Sequence, residues 1–148
     1  MGEVESRLGV VSALVRCAFL VNAVYAESAR EHGLTSQQGQ LLCVLMGGPR
    51  GMGELGEMLR LAKSSLTGLV DRTERNELVR RTPDPHDTRA IRVELTAEGG
   101  RVADAFYGET CRRVDELPEG FSGAEREVLA GLLGRIVVGN QVPVVFAD

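Results

Sequence analysis

The stretch KSSLTGLVDRTERNELVRRTPDPHDTRAIRVEL, residues 63–95, decides the fold. From Lys63 to Asn76 it reads as a helix whose inward side is Leu66, Leu69, Val70 and Thr73, at the spacing of one helical face. The opposite face is Lys63, Ser64, Thr67, Gly68 and Asp71, with Ser65 flanking, and every one of these is small or polar. Leu78–Arg81 and Arg89–Leu95 then read as two arms of a hairpin. In the second arm Ile91, Val93 and Leu95 alternate with Arg92 and Glu94. Pro83 and Pro85 cannot donate to a ladder, which places both in the long tip between the arms.

Upstream, Thr35 and Gln38 have the spacing of a capping box, and Leu41, Leu42, Leu45 and Met46 supply the apolar face of the helix it opens. Gly47-Gly48-Pro49 ends that helix. A short helix near Gly53–Arg60 turns Leu55, Met58 and Leu59 inward. Two short helices with a tight turn, followed at once by a hairpin, make a winged helix-turn-helix over residues 35–96. The expected class is mainly α with a small β-hairpin wing.

The flanking segments are helical and too apolar for one face. Val4–Glu31 carries Leu8, Val11, Val15 and Ala18 on one stripe and Val10, Leu14, Cys17, Val21 and Val24 on another. Thr96 caps a helix running to about Glu116. Ser122 and Glu125 form a second capping box, opening a helix to about Asn140 with Val128, Leu129, Leu132, Leu133, Ile136, Val137 and Val138. The apolar tail Val142–Phe146 is expected on that last surface. A helix apolar on two sides must bury both, and a chain of 148 residues offers one small core. Residues 1–34 and 97–148 are therefore expected to be dimerisation helices of a single domain spanning 1–148.

The net charge is −4, but it is unevenly placed. Met58–Arg92 holds eight basic and five acidic residues, net +3, against −7 for the rest. A positive face on an acidic body suits a reader of double-stranded DNA. Small outward residues let a helix sink into the major groove, with hydroxyls available at base edges. Lys63 opposes the helix dipole, a cost a phosphate or a guanine edge offsets. At the tip, Asp87 stands two residues before Arg89 and could hold its guanidinium by a bidentate pair as Arg89 enters the minor groove.

Three cysteines without a CxxC spacing and two histidines support neither a disulfide framework, a metal site nor a cofactor. There is no Gly-rich phosphate loop, nucleophile elbow or H-E-x-x-H, so an enzyme is not expected. The longest uncharged N-terminal stretch, Cys17–Ala26, is short for a bilayer span, and no signal peptide is recognisable; a cytoplasmic protein without a membrane partner is expected. A winged helix that binds protein instead of DNA is the rival class. It should present aromatic or aliphatic anchors, and the recognition helix carries none.

Taken together, Leu69-Val70-Asp71-Arg72, Arg80-Arg81, Asp84-Pro85-His86-Asp87-Thr88-Arg89 and Leu95-Thr96-Ala97-Glu98-Gly99 resemble the MarR family of transcriptional regulators. The resemblance implies a homodimer with interlocked terminal helices and a pseudo-palindromic operator. It places helix 63–76 in the major groove and wing 82–90 in the minor groove. It brings Ser64, Ser65, Thr67 and Gly68 to the bases, Arg72 to phosphate and Arg89 to work from the wing. It also implies a repressor answering to a small aromatic or carboxylate effector, or to an oxidant through a cysteine. Val15, Phe19, Cys43, Met46, Leu66 and Phe106 are the residues considered for an effector pocket, with Arg16 as an anion partner, although the apolar ones equally suit plain core. Two positions depart from the family. Glu77 stands where members often have glycine, and Asn76 is expected to take the left-handed turn instead. Gly68 replaces a larger, often basic residue.

Overall fold

The computed structural model describes residues 8–145. Its elements run α1 (Val10–Glu31), α2 (Ser36–Leu45), β1 (Arg50–Gly51), α3 (Met52–Leu59), α4 (Lys63–Arg75), β2 (Val79–Pro83), β3 (Ile91–Leu95), α5 (Ala97–Asp115) and α6 (Gly123–Gly139). The winged helix-turn-helix is present, and the helix order matches the sequence pattern.

Local chemistry explains most boundaries. Thr35 Oγ1 accepts from the Gln38 N–H while Gln38 Oε1 accepts from the Thr35 N–H, and Ser122 and Glu125 repeat the arrangement at α6. Thr96 Oγ1 caps α5 by accepting from the Gly99 N–H. A Cβ on Gly99 would lie 1.8 Å from the Leu78 carbonyl oxygen, so only glycine lets α5 start against the incoming strand. Gly9, in extended conformation, precedes α1. The helix expected from Val4 therefore begins at Val10, with residues 4–7 outside the described range.

The sheet has order β1-β3-β2 and is antiparallel throughout. The sequence showed two of its strands; Arg50 and Gly51 add a third by pairing with Val93 and Arg92. Pro83 is not in the turn. It ends β2 opposite Ile91. The neighbouring Asp84 N–H donates to Ala90, and at the other end Thr96 donates to Leu78. This alternation puts Pro83 at a position whose nitrogen faces away from the ladder, on an edge strand, where a missing N–H costs nothing.

The core lies where α2, α4, α5 and the sheet meet. Leu41, Leu42, Leu55, Leu66, Leu69, Val70, Val93 and Phe106 are fully buried there. Tyr25 meets Phe106 edge-on at 5.0 Å. The end of α1 is tied to α5 by the buried Thr110 Oγ1 donating to Ser28 Oγ at 2.8 Å, and by the Arg113–Glu31 ion pair.

The terminal helices are different. No residue of α6 is buried, and Val128, Leu132, Leu133, Ile136, Val137 and Val138 are all exposed. On α1, Val10, Val11, Leu14, Val15, Phe19, Leu20 and Val21 are exposed as well. By length and composition α1 is sufficient to cross a bilayer, which the uncharged run Cys17–Ala26 had argued against; Arg16 is its one charged residue before Glu27. The tail does not cover α6 as expected. Val142 and Val144 are exposed, and Val145 lines a cleft with Tyr25, Cys43 and Met58; Phe146 is outside the described residues.

Candidate nucleic-acid interface

Helix α4 is anchored by its buried side, Leu66, Leu69, Val70 and Thr73, with Thr73 donating to the Leu69 carbonyl. This fixes what faces out. Lys63, Ser64, Ser65 and Arg72 are exposed; Thr67, Gly68 and Asp71 are half-buried. Ala62 gives α4 no side-chain cap, so the first-turn N–H groups stay open beside Lys63, an arrangement suited to phosphate. Thr67 is partly spent. Its hydroxyl donates to the Lys63 carbonyl at 2.9 Å, leaving its methyl group and its lone pairs for a base.

The acids of this helix do not face a partner unpaired. Arg81, on β2, binds Asp71 through Nη2 at 2.6 Å and Glu74 through Nη1 at 2.8 Å, while its backbone N–H donates to Glu74 at 3.0 Å. Partial burial works to lower the Arg81 pKa, but the bonds to Asp71 and Glu74 outweigh it and the net direction is up. Sequence reading missed this clamp, since nothing local links residue 81 to residues 71 and 74. Its effect is to leave Arg72 and Arg75 without ion pairs among the described residues. Both line a polar cleft with Gln38 and Asn76.

The helix ends in a Schellman turn: the Glu77 N–H donates to Glu74 and the Leu78 N–H to Thr73. The left-handed residue is Glu77, at φ 62°, whereas Asn76 sits at φ −80°. This corrects the assignment to Asn76. The bond pattern places the turn one residue later, whatever Asn's own preference.

The wing tip is built from two aspartates. Asp84 Oδ1 accepts from the His86 N–H at 2.8 Å and Asp87 Oδ1 from the Arg89 N–H at 3.0 Å. Asp87 thus holds the backbone of Arg89 and not its guanidinium, contrary to the expected bidentate pair. Arg89 is exposed and makes no ion pair among the described residues. Behind it, Arg80 pairs with Glu94 at 2.7 Å on the sheet.

The residues considered for an effector pocket are not brought together within one protomer. Phe106 and Leu66 are core, and a Cβ on Gly39 would lie 2.7 Å from the Phe106 ring. Cys43 lines the cleft with Tyr25, while Val15, Arg16, Phe19 and Met46 are exposed. A larger cleft of about 590 Å³ opens between α1 and α5, lined by Val21, Tyr25, Thr110 and Cys111 among others. Burial pushes the Cys43 thiol up to about 11, outweighing the opposing effect of the Tyr25 hydroxyl that donates to its sulfur at 3.9 Å. Burial likewise pushes Tyr25 above the usual phenol range. Among the described residues no group of His, Cys, Asp and Glu could hold a metal ion.

A helix with a small, polar, cation-bearing outer face, joined to a wing that carries an exposed arginine, defines a winged helix-turn-helix reader of DNA. The comparisons make this specific. The model of the MarR family matches residues 32–90. The HTH-type transcriptional repressor NicR of Pseudomonas putida is 33% identical over 121 residues, which cover 80% of this chain and 76% of NicR. The chain belongs to the MarR family of DNA-binding transcriptional regulators, which are not enzymes. Among solved structures, wild-type MarR from E. coli has the same fold, with a TM-score of 0.78 at 20% identity over 88% of this chain and 98% of that one. So does an S. aureus MepR mutant bound to an oligodeoxyribonucleotide, with a TM-score of 0.61 at 18% identity over 90% of this chain and 99% of that one.

Proposed function

We propose that the protein is a homodimeric, effector-responsive repressor acting in the cytoplasm. It reads a pseudo-palindromic operator with α4 in the major groove and the wing in the flanking minor groove. The observation that carries the reading is the outer face of α4. Lys63, Ser64, Ser65, Thr67 and Gly68 form a low, polar surface, Arg72 and Arg75 stand beside it without ion pairs among the described residues, and Arg89 is exposed on the wing. Repression is supported by the likeness to NicR.

The dimer is supported by α6, none of whose residues is buried within its own protomer, and by the exposed apolar stripes of α1. Covering both against a second copy removes an apolar surface too large to leave in water. An effector has room in the cleft between α1 and α5, where occupancy would change the spacing of the two reading heads and favour the geometry it binds better.

Selection of bound fragments from random duplexes tests the reading. The expected product has two inverted half-sites about one helical turn apart, with affinity falling steeply as salt rises. A chain that stays monomeric at micromolar concentration, or that enriches no duplex, overturns it.

A further inference from the structure

Gly68 sits in the middle of the outward row of α4, where a glycine weakens the helix. The space it vacates is filled. A Cβ at residue 68 would lie 3.2 Å from Arg72 Nη1, tighter than an ordinary carbon contact. Helical side chains lean toward the N-terminus, so the residue at 72 covers the surface at 68, one turn back. Here the guanidinium rests against the bare backbone of that turn, level with Thr67 and one turn beyond Ser64.

Two further features prepare it. Arg81 occupies Asp71 and Glu74, the two acids nearest on the same helix, so neither draws Arg72 aside. Arg72 itself is exposed and without an ion pair among the described residues. Arg75, which shares the polar cleft, has its Nε 3.4 Å from the Asp71 carbonyl and no glycine beneath it. A cation seated in the middle of the helix's groove-facing row is placed toward base edges, whereas phosphate contacts are commonly made from the ends and flanks of the helix.

We propose that Arg72 lies across Gly68 to read a guanine edge in the major groove, so that this pair, and not a phosphate contact, sets the operator's preference at one base pair of each half-site. The fork of a guanidinium fits guanine O6 and N7 together, which an ammonium cannot do. The inference rests on α4 being the recognition helix.

The test compares the wild-type dimer with Arg72→Ala, Arg72→Lys and Gly68→Val by selection from random duplexes, then by titration of the selected and single-base-changed duplexes at several salt concentrations. Arg72→Ala should lose about 5- to 150-fold on the selected duplex and much less on the one changed at that guanine, so that the preference there disappears. Arg72→Lys should not restore it, and Gly68→Val should lose the same preference with Arg72 intact. Uniform weakening on every duplex, with a salt slope shallower by about one, makes Arg72 a phosphate contact and overturns the proposal. If Gly68→Val keeps the wild-type preference, the seat at Gly68 is wrong. If the wild-type protein selects no duplex, the DNA-reading assignment itself falls.

Discussion

Arg81 and Asp71 are joined at 2.6 Å across the junction of the wing and α4. Together with Glu74 they make a three-residue clamp that ties α4 to the sheet and pairs two carboxylates beside the proposed DNA face. All three side chains are partly open to solvent, so each pair contributes only about 0.5–1 kcal/mol to stability. The effect on binding should be larger. Arg81→Ala exposes two carboxylates to the phosphate backbone and should weaken operator binding by about 1–2 kcal/mol at moderate salt. Adding Asp71→Asn and Glu74→Gln should recover most of that loss while leaving the melting temperature low. If the triple variant binds no better than Arg81→Ala, charge cancellation is not what the clamp provides.

Arg89 is presented by a turn that costs it no donor, since Asp87 holds its backbone N–H and leaves the guanidinium free. Arg89→Ala should weaken operator binding by about 1–3 kcal/mol, as for the loss of one good contact. Asp87→Ala should weaken it by less, because the arginine survives on a looser tip. Anisotropy titrations distinguish the cases, and an Arg89→Ala protein with wild-type affinity removes the wing from the interface.

Glu77 holds a left-handed conformation that glycine adopts freely. Glu77→Gly should therefore stabilise the protein by about 1 kcal/mol, or about 2–4 °C in melting temperature at fixed protein concentration. No change or a loss on calorimetry means that the Glu77 side chain contributes a contact the turn needs. The same residue shows where sequence reading stops. The capping boxes at Thr35 and Ser122 were legible because both partners lie within four residues. Leu66, Leu69, Val70 and Thr73 were legible because one face repeats. The choice between Asn76 and Glu77 was not, since it depends on which carbonyl the Leu78 N–H reaches. Nor was strand β1, whose two residues are too few for a period and exist as a strand only through Val93 and Arg92. The clamp at Arg81 joins residues seven and ten apart on different elements, and the exchange of a guanidinium for a backbone N–H at Asp87 depends on the turn's dihedrals.

Cys43 is shielded, and its thiol is held up at about 11 by burial. A thiol above its ordinary 9.0 favours the folded state while it is protonated. That contribution is complete below pH 9 and is lost as pH rises toward 11. Denaturant midpoints should fall over this range, and Cys43→Ala should flatten the fall, with the remainder left to Tyr25 and other groups. At pH 8 the folded protein should take up alkylating reagent slowly at Cys43. Labelling of Cys43 as fast as in the unfolded chain contradicts its burial and reopens an oxidant-sensing role for it.

Helix α6 gives the sharpest test of assembly. Val128, Leu132 and Ile136 fall four residues apart on one side of it, and each is exposed. Within a single protomer they contact too little for a polar substitution to disturb the fold. Leu132→Glu should therefore keep the helical content of the reading domain and the buried core around Phe106. Against a second copy the same carboxylate loses its water without gaining a partner, at a cost of several kcal/mol per protomer. Sedimentation should show the variant as a monomer and the wild type as the proposed dimer. Binding to a full operator should fall to the level of one half-site, because the second reading head is no longer held at high effective concentration. A variant that sediments as a dimer with full operator affinity places the partner surface elsewhere, and the exposed stripes of α1 and α6 would then need another cover.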